Sequence, residues 1–274
     1  MQAVHHSRAT VILTRPQGKN QALQLRFEQA GLRVASLPAL ALQPIAVTGP
    51  VPDPAAFDLV FFVSGFAVDC FFDLLDEHGM QWPQGQHAGC VGPGTVQALQ
   101  RQGVAQQQIL CPTDEQPYDS RGFLTRLKAS AVFACVNTVL IACGTTGNPW
   151  LAGQLQDLSL EVTRLPLYRR DARQWDARQQ RQMRSLFADV AEKKYVVLTS
   201  PQGIKAFVDN LAAAQIDPDS LARATTFVVT HAGQVDSLRH ALQQQLPELD
   251  ADTLHIVQAL PQDDAIFHTV TISD

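Results

Sequence analysis

The sequence predicts an α/β protein of two lobes, each built on a parallel sheet with helices on both faces. Short β-branched runs alternate with helical patterns, this order of elements occurs twice, and 274 residues exceed the size of one small domain. Because parallel neighbours need a crossover connection, usually a helix, the alternation favours doubly wound sheets.

The first part of the chain indicates a strand, a helix and a second strand. Residues 11–14 form a short β-branched run that ends before a loop. Apolar residues recur at helical spacing over residues 22–30, and Gly31 is the predicted helix stop. Residues 34–37 are expected to form the next strand, which ends at Pro38.

The same order of elements returns in the second half of the chain. Three matches in one order indicate an internally duplicated α/β unit. The matching pairs are residues 10–13 with 138–141, residues 59–75 with 195–211, and residues 90–99 with 229–238.

Two segments at equivalent places in the copies are expected to be extended. They are residues 37–44 and 165–170, and together they can form a two-stranded connector between lobes. Residues 172–194 are predicted to form one polar amphipathic helix. Its buried stripe is predicted to comprise Met183, Leu186, Phe187 and Val190.

Charge and hydropathy exclude several classes of partner. The net charge is −5 at pH 7 and no basic stripe is present, which argues against nucleic-acid binding. No apolar run approaches the length of a membrane helix. The first ten residues lack the pattern of a secretory signal, so we expect a cytoplasmic protein.

The cysteines show no pattern of a metal site. They form no CxxC pair and no zinc-like spacing with histidine, so reduced thiols in a core are expected and no metal. The five cysteines are Cys70, Cys90, Cys111, Cys135 and Cys143.

Five short motifs, taken in order, resemble those of the uroporphyrinogen-III synthases. Each motif is weak alone, but their order spans most of the chain. They are Leu13-Thr14-Arg15-Pro16, Phe62-Val63-Ser64 with Ala67-Val68, Val91-Gly92-Pro93-Gly94-Thr95, Leu167-Tyr168-Arg169-Arg170 and Leu198-Thr199-Ser200-Pro201-Gln202-Gly203.

The resemblance implies two flavodoxin-like lobes joined by a two-stranded linker, with the active site in the cleft. It places residues 1–40 plus 171–274 in the first lobe and residues 45–166 in the second. The linkers are then residues 41–44 and 167–170.

The resemblance also implies a cyclising lyase of tetrapyrrole biosynthesis that acts without a cofactor. Its substrate, hydroxymethylbilane, loses a hydroxyl as water, and the ring closes through a spiro intermediate that inverts ring D. The sequence by itself shows no nucleotide loop and no Ser-His-Asp order. We expect the enzyme to be a monomer.

Tyr168 is the candidate catalytic residue. It matches the tyrosine of the family's linker motif, and its phenol can hydrogen-bond the departing hydroxyl and help it leave as water. The alternative is a linker residue with a solvated hydroxyl.

The substrate carries eight carboxylates, so the site needs many hydrogen-bond donors, which amides at loop-to-helix junctions supply. The alternatives are helix capping for the serines, a surface ion pair for Arg15 and a solvated side chain for His231. The candidate substrate-binding residues are Arg15, Ser64, Gly92, Thr95, Gly144, Thr199, Ser200, Gly203 and His231.

One departure from the family keeps other functions open. Many relatives carry two arginines where this chain has residues 143–148, which contain none. A catalytically silent tetrapyrrole-binding paralogue is therefore an alternative to the enzyme. A phosphate-sensing module is a third, and would need grouped carboxylates among Asp53, Asp58 and Asp69.

Overall fold

The computed structural model describes residues 9–113 and 115–273, which fold as two compact units. Unit one comprises residues 9–41 and 171–273, and unit two comprises Leu42–Arg170. Of the first ten residues, which lack a secretory pattern, residues 1–8 lie outside the described part. Among the helices of the described ranges, none has the length and apolar character needed to cross a bilayer.

Strands and helices alternate along both units. The strands are β1 (Ala9–Leu13), β2 (Arg33–Ser36), β3 (Leu40–Pro44), β4 (Leu59–Phe62), β5 (His87–Cys90), β6 (Ile109–Leu110), β7 (Thr138–Gly144), β8 (Glu161–Ala172), β9 (Lys193–Leu198), β10 (Thr225–Val229) and β11 (His255–Gln258). The α-helices are α1 (Gln21–Gln29), α2 (Gly65–Glu77), α3 (Pro93–Arg101), α4 (Ser120–Lys128), α5 (Trp150–Asp157), α6 (Ala177–Ala188), α7 (Pro201–Ala213), α8 (Pro218–Ala224), α9 (Gly233–Gln245) and α10 (Asp263–Ser273).

The sheet of unit one is parallel and covered on both faces. Its strand order is β11-β10-β9-β1-β2, with every neighbouring pair parallel. This is the 2-1-3-4-5 order of flavodoxin-like sheets. Alternate residues of β1 enter different cores: Ile12 packs in the core that includes Phe207 of α7, and Val11 packs in the core that includes Phe27 of α1.

The sheet of unit two repeats this order and adds one strand. Its order is β3-β8-β7-β4-β5-β6, and the strands from β8 to β6 pair in parallel. Because β7 aligns with β1, β4 with β9 and β5 with β10, the duplicated sequence folds into duplicated sheets. The predicted fold class is therefore confirmed.

The extra strand β3 pairs with β8 in the antiparallel sense. The amide of Ile45 donates to the Leu167 carbonyl at 3.0 Å, and the amide of Arg173 donates to the Ala39 carbonyl at 2.8 Å. From one bond to the other, the residue number rises from 39 to 45 along β3 and falls from 173 to 167 along β8, so the two strands run in opposite directions. The chain passes between the units within these two strands, so the linker is two-stranded, as predicted.

The helix predicted over residues 172–194 is shorter than expected. Helix α6 covers only Ala177–Ala188, because Asp176 caps its start by accepting from the Gln179 amide at 2.8 Å. Val190 lies beyond the helix end and is 54% exposed. Its prediction as part of the buried stripe is wrong, whereas Met183, Leu186 and Phe187 are buried.

Asn210 fixes the segment after β8 against α7. Its side chain is buried, accepts from the Trp175 amide at 2.7 Å and donates to the carbonyls of Arg173 and Ala206 at 2.7 and 2.8 Å. These bonds hold in place the stretch of chain that follows the linker strand.

Replacing Asn210 with alanine should destabilise the protein by about 2 kcal/mol, because the buried Trp175 amide loses its acceptor. Thermal unfolding should then begin about 5 °C lower. The control is Asp209→Ala, which removes only an exposed ion pair with Lys205. Equal melting of Asn210→Ala and the control would show that the three bonds contribute little.

Candidate active site

Tyr168 lies in unit two with its side chain enclosed. The residue is 1% exposed, and its ring meets Phe66 edge-on with the centroids 5.2 Å apart. Its hydroxyl lies 3.3 Å from Ser64 Oγ. A Cβ added at Gly144 would lie 3.0 Å from the ring atom Cε2. Three segments of unit two therefore set the position of the phenol.

An irregularity in the pairing of β7 with β8 places this tyrosine. Cys143 pairs with Pro166, but the next residue, Gly144, pairs with Tyr168, so β8 carries one extra residue there. The Thr145 amide then donates to the Tyr168 carbonyl at 2.8 Å. Such bulges redirect side chains and are common beside functional sites.

Ser64 and Ser200 occupy equivalent positions and act alike. Each precedes a helix, and their Oγ atoms accept from the amides of Ala67 at 3.3 Å and Gly203 at 3.1 Å. A Cβ added at Gly203 would lie 3.0 Å from Ser200 Oγ, which favours glycine at this position. Both serines are thus helix caps, and each hydroxyl hydrogen stays available to another acceptor.

A pocket of about 200 Å³ adjoins Tyr168 within unit two. It lies at the carboxyl end of β7, the end of a doubly wound sheet where ligands usually bind. The wall combines polar, basic and small residues. Those that bear on binding are Gly144, Thr146, Asn148, Arg164, Tyr168 and Arg170.

The sequence reasoning missed Arg164 and Arg170 as residues of this pocket. Both belong to β8, the strand that also carries Tyr168, and all three have even numbers. Alternate side chains of a regular strand share a face, so the spacing after Tyr168 could have pointed to Arg170. It could not have pointed to Arg164, because the extra residue of the bulge lies between Arg164 and Tyr168 and shifts the alternation.

The Cys143 thiol beside the pocket is neutral. Burial raises its pKa above the usual value, and the Arg164 guanidinium, 3.8 Å from its sulfur, only opposes that shift. The thiol therefore brings no negative charge to the arginine.

Gly92 and Thr95 lie where β5 joins α3. Gly92 is the residue before the helix and is partly exposed. Thr95 is buried, with 7% of the residue exposed, and its amide donates to the Gly92 carbonyl at 3.0 Å. Of this predicted pair, only Gly92 therefore presents part of its surface to solvent.

The candidate residues of unit one follow three neighbouring strands. Arg15 comes after β1 and forms an ion pair with Asp263 at 2.5 Å, but its side chain is only 14% exposed, so this is not the surface ion pair named as the alternative. Thr199 and Ser200 follow β9 and are partly exposed, and His231 after β10 is exposed. The carboxyl ends of adjacent parallel strands bring these segments to one edge of the sheet.

The cysteines differ from expectation at one position. All five are free, and Cys70, Cys90 and Cys143 are buried. Cys135 is exposed, because it ends a short 3-10 turn before β7, so its predicted place in the core is wrong. In the described ranges, no three His, Cys, Asp or Glu side chains are grouped closely enough to hold a metal ion.

The aspartates proposed for a phosphate-sensing module are separate and have structural partners. Asp53 accepts from the Ala55 amide at 2.9 Å. The amides of Asn137 and Thr138 lower the pKa of Asp58, which lies at the amino end of β4. Asp69 is on α2, and these positions form no acidic cluster at a strand end.

Comparison with known proteins identifies similar sequences and structures. The family model described as uroporphyrinogen-III synthase HemD matches residues 21–232. The uroporphyrinogen-III synthetase from Helicobacter pylori is 14% identical over 97% of this chain and 99% of that chain, with a TM-score of 0.53. A mutant uroporphyrinogen III synthase from the extremely thermophilic bacterium Thermus thermophilus is 12% identical over 97% and 98%, with a TM-score of 0.48.

Proposed function

The chain belongs to the uroporphyrinogen-III synthase family, and we propose that the surroundings of Tyr168 take part in its reaction. The activity is that of a cyclising lyase, which converts hydroxymethylbilane to uroporphyrinogen III with inversion of ring D and loss of water. The observation that carries the site assignment is the contact of the Tyr168 hydroxyl with Ser64 beside a basic pocket.

The proposed role of Tyr168 follows from the hydrogens available around its hydroxyl. Ser64 Oγ already accepts from the Ala67 amide, so its own hydrogen can be donated to the phenol oxygen 3.3 Å away. The phenol hydrogen is then directed to the substrate. It passes to the departing hydroxyl as the C–O bond breaks and water leaves, and the carbon left behind is electrophilic. That carbon forms the new carbon–carbon bond, and a proton that the substrate loses when the ring closes restores the phenol.

The carboxylates of the substrate are assigned to loop-to-helix junctions. The starts of α2, α3 and α7 present the positive end of a helix dipole to an anion. This explains how a chain of net charge −5 can bind a polyanion. Gly92, Thr199, Ser200 and His231 stay in this role as predictions, whereas Gly203 is buried and its amide already donates to Ser200.

The proposed reaction needs no electron carrier. Loss of water and closure of a carbon-carbon bond change no overall oxidation state, so no oxidant or reductant is consumed. We therefore propose a cofactor-independent enzyme, and dialysis against a metal chelator should leave the rate unchanged.

The proposed setting is a monomer in the cytoplasm that does not bind nucleic acid. The net charge of −5 disfavours a polyphosphate partner. Light scattering of the purified chain measures the oligomeric state directly.

The reaction itself is tested with freshly made hydroxymethylbilane. The products are oxidised, and the type I and type III isomers are separated by chromatography. We expect type III to dominate, whereas spontaneous closure gives type I. Accumulation of type I alone, at the rate of the protein-free control, would contradict the assignment, and binding without turnover would identify a silent paralogue.

A further inference from the structure

The basic pocket of unit two has a more specific role. We propose that Arg164 and Arg170 form a subsite for one carboxylate-bearing side chain of the linear tetrapyrrole. Both arginines contribute to the wall of the pocket of about 200 Å³ that also includes Tyr168. This inference rests on the proposed function, because the ligand is the substrate of that reaction.

The strand geometry brings the two arginines to one pocket. Arg164, Tyr168 and Arg170 all contribute to the wall, whereas Arg169 does not. Tyr168 and Arg170 are alternate residues of the strand after the bulge, whereas Arg164 precedes the bulge. The bulge opposite Gly144 lies between the two arginines, and bulges bend a strand locally.

The charge of the pocket is uncompensated. None of the residues that form its wall is acidic. Within the part of the chain that the structure describes, neither guanidinium is paired with a carboxylate, and the side-chain contact of Arg164 is with Cys143 Sγ at 3.8 Å. A guanidinium offers planar paired donors that fit a carboxylate, so such a pocket selects an anion of that shape.

The other residues of the pocket wall fit the aliphatic part of a substrate side chain. Ile141 and Leu151 supply apolar surface, and Thr146 and Asn148 supply polar groups. An acetate or propionate side chain has methylene groups that can contact the apolar residues and a terminal carboxylate that can reach the arginines. A compact inorganic anion would leave the apolar part of the pocket unfilled.

The guanidinium groups of the pocket come from β8. Residues 143–148 have no arginine, but Gly144, Thr146 and Asn148 border the pocket to which Arg164 and Arg170 contribute. The neighbouring strand β8 therefore brings positive charge to a segment that has none of its own.

The experiment compares Arg164→Gln and Arg170→Gln with Lys128→Gln, which removes one positive charge from the end of α4 outside the pocket. Two quantities are measured: the KM and kcat for hydroxymethylbilane, and the Kd for uroporphyrin III, an air-stable octacarboxylate probe. Each arginine variant should raise KM and Kd about tenfold, the effect of one charge-assisted hydrogen bond. The kcat should change less than about threefold, because the contact holds the substrate equally in the ground and transition states.

Two further variants distinguish the loss of the subsite from a folding defect. Arg164→Lys and Arg170→Lys keep the charge and the apolar stem but lose the paired donors. They should bind less tightly than the parent and, where both fold, more tightly than the glutamine variants.

Unchanged KM and Kd in the arginine variants, or an equal change in Lys128→Gln, would overturn the subsite. If the parent forms the type III isomer and the arginine variants have the same KM and Kd as the parent, the subsite is wrong while the function stands. If the parent forms no type III isomer but the arginine variants lose uroporphyrin III binding, the function is wrong while the anion site stands.

Discussion

Replacing Tyr168 with phenylalanine should lower kcat by about 100-fold or more, within the range by which a positioned acid accelerates a reaction. The change removes one oxygen and leaves the ring, which packs edge-on against Phe66. The hydrogen bond lost, 3.3 Å long to Ser64, contributes only about 0.5–1 kcal/mol to stability. Turnover should therefore fall far more than the melting temperature.

The matched variant for this prediction is Ser64→Ala. If Ser64 donates to the phenol oxygen, its loss should lower kcat by about tenfold, less than the loss of the phenol itself. Stopped-flow measurement of substrate loss, with separation of the isomers, follows both variants. Full activity in Tyr168→Phe would remove the phenol from the mechanism and leave it a buried linker residue.

Replacing Gly144 with alanine should lower kcat by about 100-fold through displacement of the same phenol. The new Cβ would lie 3.0 Å from Tyr168 Cε2 and 3.2 Å from Cζ, which is closer than ordinary contacts. Phe66 borders the ring, so relief requires the ring to move.

The control for this prediction is Gly147→Ala. Gly147 also borders the pocket, but a Cβ added there meets no atom within 4 Å. The Gly147→Ala variant should therefore retain most of the activity of the parent. Equal losses in the two alanine variants would show that the segment itself, and not the position of Tyr168, limits turnover.

The duplicated architecture was predictable because it depends on local signals. Ser64 and Ser200 each follow a buried strand and cap the next helix, and this pattern is visible in the sequence without any tertiary information. The matching of β1 with β7 likewise rests on β-branched runs alone. These signals predicted the duplicated α/β unit and the two extended segments, whereas the assignment of the N-terminal and C-terminal segments to one lobe came from the family resemblance.

Other features depend on partners far away in the chain. Arg15 pairs with Asp263, 248 residues later, so this ion pair could not be predicted from local signals. The burial of Thr95 follows from how α3 packs in its unit. Val190 was misplaced because helical spacing continues past residue 188, whereas the hydrogen-bonded helix does not.

The pocket was missed for a related reason. Arg164 and Arg170 are ordinary strand residues in the sequence, and their common wall with Gly144 depends on the pairing of β8 with β7 and on the bulge between them. Register irregularities of this kind have no reliable local signature, because the partner strand determines them.

The most direct test of the site is a crystal structure of the protein with uroporphyrinogen III bound. We expect the tetrapyrrole to lie beside Tyr168, with one of its carboxylates within about 3 Å of Arg164 or Arg170. A bound tetrapyrrole that contacts neither Tyr168 nor this pocket would contradict the account.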